Sequence, residues 1–549
     1  MNIGEMQRKL SLWAEQEKER EFYGLYDLIC REDWLRLAQE YVSQNAGSKT
    51  AGCDGITMSD FEEDLEHNLR QLRDALRSET FMACPVRRVY IPKANGKVRP
   101  LGIASIRDRI VQEAVRMALE PIYEADFSQY SFGFRPNRCT MDAIRAITWA
   151  TIGGKKFFWI IEGDISAYFD TINHRKLMGL LRKRISDERL LSLIWKFLRA
   201  GVMERRLFKG TSLGTPQGGI ISPLLANVYL HELDRYMERY TGISRFEKTA
   251  RRKTGLGNYV YVRYADDFVI LSNGTKGQVE EMREEVRNYL ASNLRLSLSM
   301  EKTRITHLDD GFDFLGFTIQ RKMGNNGMKT KILISKKGEE KHLNAIRAAT
   351  SPDTYEDSVT LKIKALNRII AGWCRYYQYT SKASTQFKRL EYKTFWLMAH
   401  WLGRKYRLAM PDVMRRFREG CSLTDGETTL TRHTQFPTLR YKRPRKPNPY
   451  TTQESIEREE FPDENPWRGF ESRPGMADLR RQVMERDGMT CRVCKTPVTP
   501  ETCPVDHIIR YSRFKRPVDA NRLRNLWTLC IPCHRAKIES EQRMESRVQ

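Results

Sequence analysis

Apolar positions recur at helical spacing over residues 5–45, where Leu10, Trp13, Tyr23, Tyr26 and Leu28 stand among Glu, Lys and Arg. Gly47, Ser48, Gly52 and Gly55 interrupt that pattern, and Ser59 predicts the cap of a second helix over 60–78. The run VRRVYIPKANGKVRPLGI reads as a hairpin with Asn95-Gly96 as its two-residue turn. From 156 to 320, β-rich apolar runs (FFWIIEGDI, YVYVRYADDFVILS, FLGFTI) alternate with charged helices such as 275–293, an α+β layout. Residues 351–420 turn helical again, rich in Trp, Tyr, Lys and Arg. Pro437, Pro444, Pro447, Pro449, Pro462, Pro466 and Pro474 then predict an extended basic linker over 434–475, and a compact terminal unit follows.

The 549 residues exceed what one core can organise and predict roughly three to five structural units. No apolar run approaches the ~18 residues of a membrane span, and the first twenty residues are too charged for a secretory signal. The expected setting is therefore cytoplasmic, without membrane. Lys and Arg number 94 against 69 Asp and Glu, a net +25. That excess predicts a polyanionic partner, nucleic acid first, with charge for solubility alone as the bland alternative. Six of eleven cysteines (Cys30, Cys53, Cys84, Cys139, Cys374, Cys421) are scattered singly, as in a reducing compartment, and five fall between 491 and 533.

Within YVRYADDFVILS, Asp266 and Asp267 sit between two apolar β-rich segments, which puts them at the tip of a hairpin. A solvated turn would also use Asp there. Asp164, however, ends another apolar run, and three carboxylates converging from neighbouring strands suit two Mg²⁺ ions and in-line phosphoryl displacement. Asp170 is left out as the cap of a following helix. In SLGTPQGGIISPLLANVYL the glycines make a loop that can approach a ligand closely.

Together these runs resemble the palm of reverse transcriptases. Tyr264-Ala265-Asp266-Asp267 matches the family's Y-x-D-D box, Asp164 its first metal carboxylate, and Pro216-Gln217-Gly218 its nucleotide-facing loop. The resemblance implies dNTP substrates, Phe169 as the gate against a ribose 2′-hydroxyl, and Gln217 and Ala265 lining the nucleotide pocket. Lys93 and Arg99 would hold the triphosphate. AGCDGIT, the run 91–144, FDFLGFTI and LNRIIAGWCRYYQY narrow the resemblance to group II intron reverse transcriptases, or maturases. Arg368, Trp373, Arg375, Tyr376 and Tyr377 would then grip intron RNA from the helical thumb, called domain X. Packing of the thumb core is the alternative for those aromatics.

Cys491-x-x-Cys494 and Cys530-x-x-Cys533 are two knuckles whose spacing predicts a closed structural Zn²⁺ site, with redox sensing as the rival and Cys503 left free. Around them, Asp506-His507, Asn525 and His534 resemble an HNH endonuclease of the ββα-metal type. The resemblance makes His507 the general base, gives Asp506 and His534 one Mg²⁺ or Mn²⁺, and has Asn525 orient the His507 loop. A zinc ribbon that only binds DNA is the alternative.

The implied architecture is a right-hand polymerase: amino-terminal extension and fingers (1–155), palm (156–345), helical thumb (346–432), basic linker (433–475) and HNH unit (476–549). The implied function is splicing of its own intron RNA, then retrohoming by cleavage and target-primed copying at double-stranded DNA. Arg440, Lys442, Arg443, Arg445 and Lys446 would contact that DNA in a salt-dependent way. A free-standing reverse transcriptase and a splicing-only maturase are the rivals; domain X with the HNH unit weighs against the first, and the intact acids against the second.

Overall fold

The computed structural model describes residues 2–92, 98–152, 155–204, 207–209, 214, 218–324, 327–441, 448–451, 482–498, 505–508, 525–530, 533–534 and 537. The chain divides into two units, Met1–Thr452 and Gln453–Gln549.

The first unit is built around a four-stranded antiparallel sheet in the order Tyr259–Tyr264, Asp267–Ser272, Trp159–Gly163, Arg304–His307. Side chains alternate across a strand, so Ile161, Tyr261, Phe268 and Ile270 enter one core while Ile160, Val262, Val269 and Leu271 enter another. Burial on both faces explains why these strands read as unbroken apolar runs. Helix Ile106–Asp126, buried along nearly its whole length, anchors the first core and packs against Ile3–Gln16 and Glu32–Ser43. Helix Lys276–Leu294 buries Val279, Met282, Val286, Leu290 and Leu294, and starts at a capping box between Thr275 and Gln278. It matches the expected helix to within a residue.

The second core runs from the sheet into helices Lys336–Ala349, Val359–Tyr377, Ala383–Tyr406 and Met410–Phe417. Ile346, Ile363, Leu366, Ile370, Phe387 and Trp401 are all buried in it. A further sheet holds the hairpin Val86–Pro92 with Val98–Ile103, extended by Val202–Glu204 and Leu207–Lys209. The Asn95-Gly96 turn lies outside the described residues.

Three local expectations are corrected. The stretch 5–45 is three helices, Ile3–Gln16, Leu25–Ile29 and Glu32–Ser43, and Tyr23 between them is 79% exposed. Ser59 caps nothing: Thr57 and Asp60 form a capping box that opens Met58–Glu62, and Asp64 opens Leu65–Arg77. Asp170 lies within the short helix Tyr168–Thr171, and Asn173 caps the next helix by accepting from Lys176 N.

The linker also differs from expectation. Its described residues, 434–441 and 448–451, reach the body. Tyr441 donates to Asp142 Oδ1 at 2.7 Å, Asn448 Nδ2 donates to Ser11 Oγ at 2.7 Å, and the Tyr450 hydroxyl donates to Glu120.

The second unit has a small core of Val483, Met484, Cys491, Val498, Val505, Leu526 and Leu529. Strand Val505–His507 pairs antiparallel with Leu526–Thr528. Among the described residues no helix is long and apolar enough to cross a membrane.

Candidate active sites

The acids of the first unit are brought together by strand register. Tyr264 pairs with Asp267, so a hairpin forms as the apolar flanks implied, but its two-residue turn is Ala265-Asp266 and Asp267 begins the following strand. Ala265 holds a left-handed φ of 58°, which a residue with a Cβ adopts only under constraint. Gly163 pairs with Phe268 across the neighbouring strand, and Asp164 follows Gly163 directly, beside Asp267. A Cβ on Gly163 would stand 2.1 Å from the Phe268 ring, so only glycine permits that approach. On the other side Glu162 pairs with Arg304, which brings Lys302 opposite Asp164. Lys302 Nζ donates to Asp164 Oδ1 and Oδ2 at 3.0 and 3.2 Å. This lysine was missed in the sequence, because only the strand register aligns it with the acid.

Too little positive charge faces the three carboxylates. Burial, then Asp266 and Asp164, push the Asp267 carboxyl up to about 6 against the pull of Lys302. Asp266 is likewise raised by burial and by Asp164, while Arg99 and Arg263 draw it back. Asp164 is engaged by Lys302. An all-oxygen set with excess negative charge at one end of the two central strands fits divalent cations of the magnesium type.

The surrounding expectations fare unequally. Phe169 is buried beside the site, edge-on to Phe134 at 6.4 Å. Ala265 is buried at the turn, and the charge of Arg99 acts on Asp266. Lys93 and Gln217 lie outside the described residues. Gly218, at φ 115°, is needed for packing, since a Cβ there would meet Gly102 O at 2.5 Å.

In the second unit the Sγ atoms of Cys491, Cys494, Cys530 and Cys533 lie within 4.8 Å of one another. Four thiols so gathered fit a tetrahedral zinc centre. Asp506 pairs with Trp527 across the hairpin, and its Oδ2 stands 3.9 Å from His534 Nε2 and 2.6 Å from Lys537 Nζ. Asn525 is buried, and its carbonyl accepts from Ile508 N at 2.7 Å. Lys537 was also missed; like Lys302, it is a lysine ammonium on a proposed metal carboxylate. The His507 backbone pairs with Leu526.

Three family profiles match the chain in series: "Reverse transcriptase (RNA-dependent DNA polymerase)" over residues 91–319, "Group II intron, maturase-specific domain" over 340–418, and "HNH endonuclease" over 491–539. The chain is 45% identical over 345 residues to Protein YkfC of Escherichia coli, covering 60% of this chain and 91% of YkfC. It is 36% identical over 359 residues to the group II intron-encoded protein LtrA of Lactococcus lactis, covering 57% of this chain and 59% of LtrA. A putative COX1/OXI3 intron 2 protein of Saccharomyces cerevisiae is 26% identical over 498 residues, 78% of this chain and 57% of that protein. The chain belongs to the group II intron-encoded reverse transcriptases with a maturase domain and a carboxy-terminal HNH endonuclease domain. Its matched regions support reverse transcriptase and nuclease activities in one polypeptide.

In the maturase-specific region the structure separates the expected RNA-binding residues. Arg368 and Arg375 are exposed. Trp373 instead stacks on His342 at 4.6 Å and donates Nε1–H to Gly338 O at 3.2 Å. Tyr377 is buried, and Tyr376 donates to Leu315 O at 2.8 Å while stacking on Phe317. These rings pack within the group II maturase domain and contact the strand hairpin at Phe317. Of the basic linker residues, Arg440 is exposed, and Lys442, Arg443, Arg445 and Lys446 lie outside the described residues.

Proposed function

We propose that the first unit is a right-hand polymerase with fingers, palm and thumb that copies RNA into DNA, and that Asp164, Asp266 and Asp267 are its catalytic acids. The observation that carries this is the pairing of Trp159–Gly163 with Asp267–Ser272, which sets Asp164 beside the Ala265–Asp266 turn. Two Mg²⁺ ions held there would supply Lewis acidity at the primer 3′-oxygen and neutralise the reacting phosphates. Arg99, with Lys93, would bind the triphosphate, Phe169 would exclude a 2′-hydroxyl, and Gln217 and Ala265 would line the nucleotide. Lys302 would give up Asp164 as those cations load.

In the second unit His507 would accept the proton of the attacking water, with Asn525 fixing its loop. Asp506 and His534 would hold the Mg²⁺ or Mn²⁺ that polarises the scissile phosphate, and the four cysteines a structural Zn²⁺. The partners are the chain's own intron RNA, gripped with Arg368 and Arg375, and double-stranded target DNA, contacted by the basic stretch around Arg440. The setting is cytoplasmic.

The test is RNA sequencing and primer extension on protein purified from its native locus. A single co-purifying intron and dNTP-dependent extension of a primer on that RNA are expected. Absence of extension would overturn the polymerase reading, and an unrelated non-coding RNA would overturn the intron assignment.

A further inference from the structure

A closed polar network lies behind the Ala265–Asp266 turn. Arg263 is fully buried, and its Nε and Nη2 donate to Asp234 Oδ1 and Oδ2 at 2.7 and 2.6 Å. Its Nη1 donates to Asn227 Oδ1 and to the backbone carbonyl of Ala265, both at 2.9 Å. Asp234 is equally buried and also accepts from the Tyr261 hydroxyl at 3.0 Å, with His231 Nδ1 at 3.9 Å. Asn227 Nδ2 donates to Gly133 O at 2.9 Å. Gly133 in turn abuts the turn itself, since a Cβ there would stand 2.3 Å from Ala265 N. The Arg263 backbone is used too, donating to Tyr130 O and accepting from Phe132 N, each at 2.9 Å.

A buried ion pair is poor evidence for stability, because well-packed apolar residues often serve as well. What apolar residues could not do is hold the Ala265 carbonyl. That oxygen belongs to the peptide plane joining Ala265 to Asp266, and a planar peptide pinned at its oxygen fixes the next Cα. Ala265 sits in the left-handed region, so the turn needs such a restraint. The guanidinium fork supplies it from a base that cannot swing, because two of its nitrogens are committed to Asp234.

We propose that Arg263, braced by Asp234 and Asn227, is the positioning residue of the Ala265–Asp266 turn, setting cation affinity and turnover without touching substrate. The inference rests on the polymerase reading above.

The experiment compares Arg263→Lys with the wild-type chain by Mn²⁺ titration followed by electron paramagnetic resonance, counting only sites that Asp266→Asn removes. Primer extension gives kcat and KM alongside. Lysine keeps a charge for Asp234 but loses the fork. The expected result is Mn²⁺ affinity weakened about 10-fold or more, as loss of an outer partner does. A kcat lower by about 100-fold, the effect of a ~1 Å misplacement, should accompany it, with dNTP KM and primer–template affinity unchanged.

Tyr229→Phe serves as the structural comparator, since it deletes a buried hydrogen bond to Leu294 O in the same core and no bond to Arg263 or the turn. It should lower the melting temperature and leave both readouts alone. Should Arg263→Lys fail to fold, Asn227→Ala, which keeps the ion pair, should move both readouts in the same direction by less. Wild-type Mn²⁺ affinity and wild-type kcat per folded molecule in whichever variant folds would overturn the proposal. If the wild-type chain extends no primer, the polymerase reading fails, and the Mn²⁺ arm still decides whether Arg263 positions the turn.

Discussion

At the scale of single residues, the site depends on close approaches that admit one side chain only. Gly163 precedes Asp164 and lies under the Phe268 ring at a distance no Cβ could share. Gly163→Ala must displace the buried Phe268 ring, whose strand carries Asp267. The expected outcome is about 1–3 kcal/mol lost in denaturant unfolding and a primer-extension rate down about 100-fold. A full rate with lowered stability would mean the acids tolerate the shift. The juxtaposition of Asp164 with the Ala265–Asp266 turn was legible in the sequence only through three separate runs taken together, since two carboxylates between apolar segments also suit a solvated turn. Lys302 and Lys537 were not: each meets its acid only through the packing of separate elements, and a lone lysine carries no local signal.

At the scale of elements, several helices and the central strands followed from apolar spacing, whereas the caps and the contacts of the aromatic residues did not. The spacing that puts Trp373 and Tyr377 on a helix is the same for an RNA-facing and a core-facing ring. Their neighbours decide it. Trp373 lies on His342, which meets His433 at 2.8 Å between Nε2 atoms, both rings buried. Burial lowers His342 to about 4, and burial with His342 lowers His433 to about 3, Glu391 opposing. Unfolded, both would titrate near 6.5, so the unfolded chain takes up protons first as the solution is acidified. Their contribution to stability is therefore complete above pH 6.5 and is lost as pH falls toward 4, by roughly 3 kcal/mol for His342 alone. Chemical denaturation midpoints between pH 7 and 4 should show this acid limb. A His342→Leu/His433→Leu pair should flatten it; an unchanged slope would place the acid sensitivity elsewhere.

At the scale of the whole molecule, composition and proline density set a linker over 433–475 between body and terminal unit, and residues at its start are tied to the body. Tyr441, Asn448 and Tyr450 each find a polar partner on the body, and such long-range pairs leave no trace in a proline-rich stretch. The compact division falls after Thr452. The second unit has so small a core that its cysteine cluster should carry much of its folding. Chelation with a strong zinc chelator should make residues 482–537 susceptible to protease and abolish DNA cleavage while primer extension on RNA persists. Joint loss of both activities would mean the units fold as one.

If one chain carries two independent active centres, a target-DNA assay on the assembled ribonucleoprotein should separate them. Cleaved strand and new cDNA are scored together for wild-type, Asp266→Asn and His507→Ala proteins, with Asp266→Asn also assayed for RNA binding and splicing. Asp266→Asn should cut DNA, bind RNA and support splicing but synthesise no cDNA. His507→Ala should leave the strand uncut yet extend a supplied primer at the wild-type rate. Loss of splicing in Asp266→Asn, or of primer extension in His507→Ala, would contradict the division of labour.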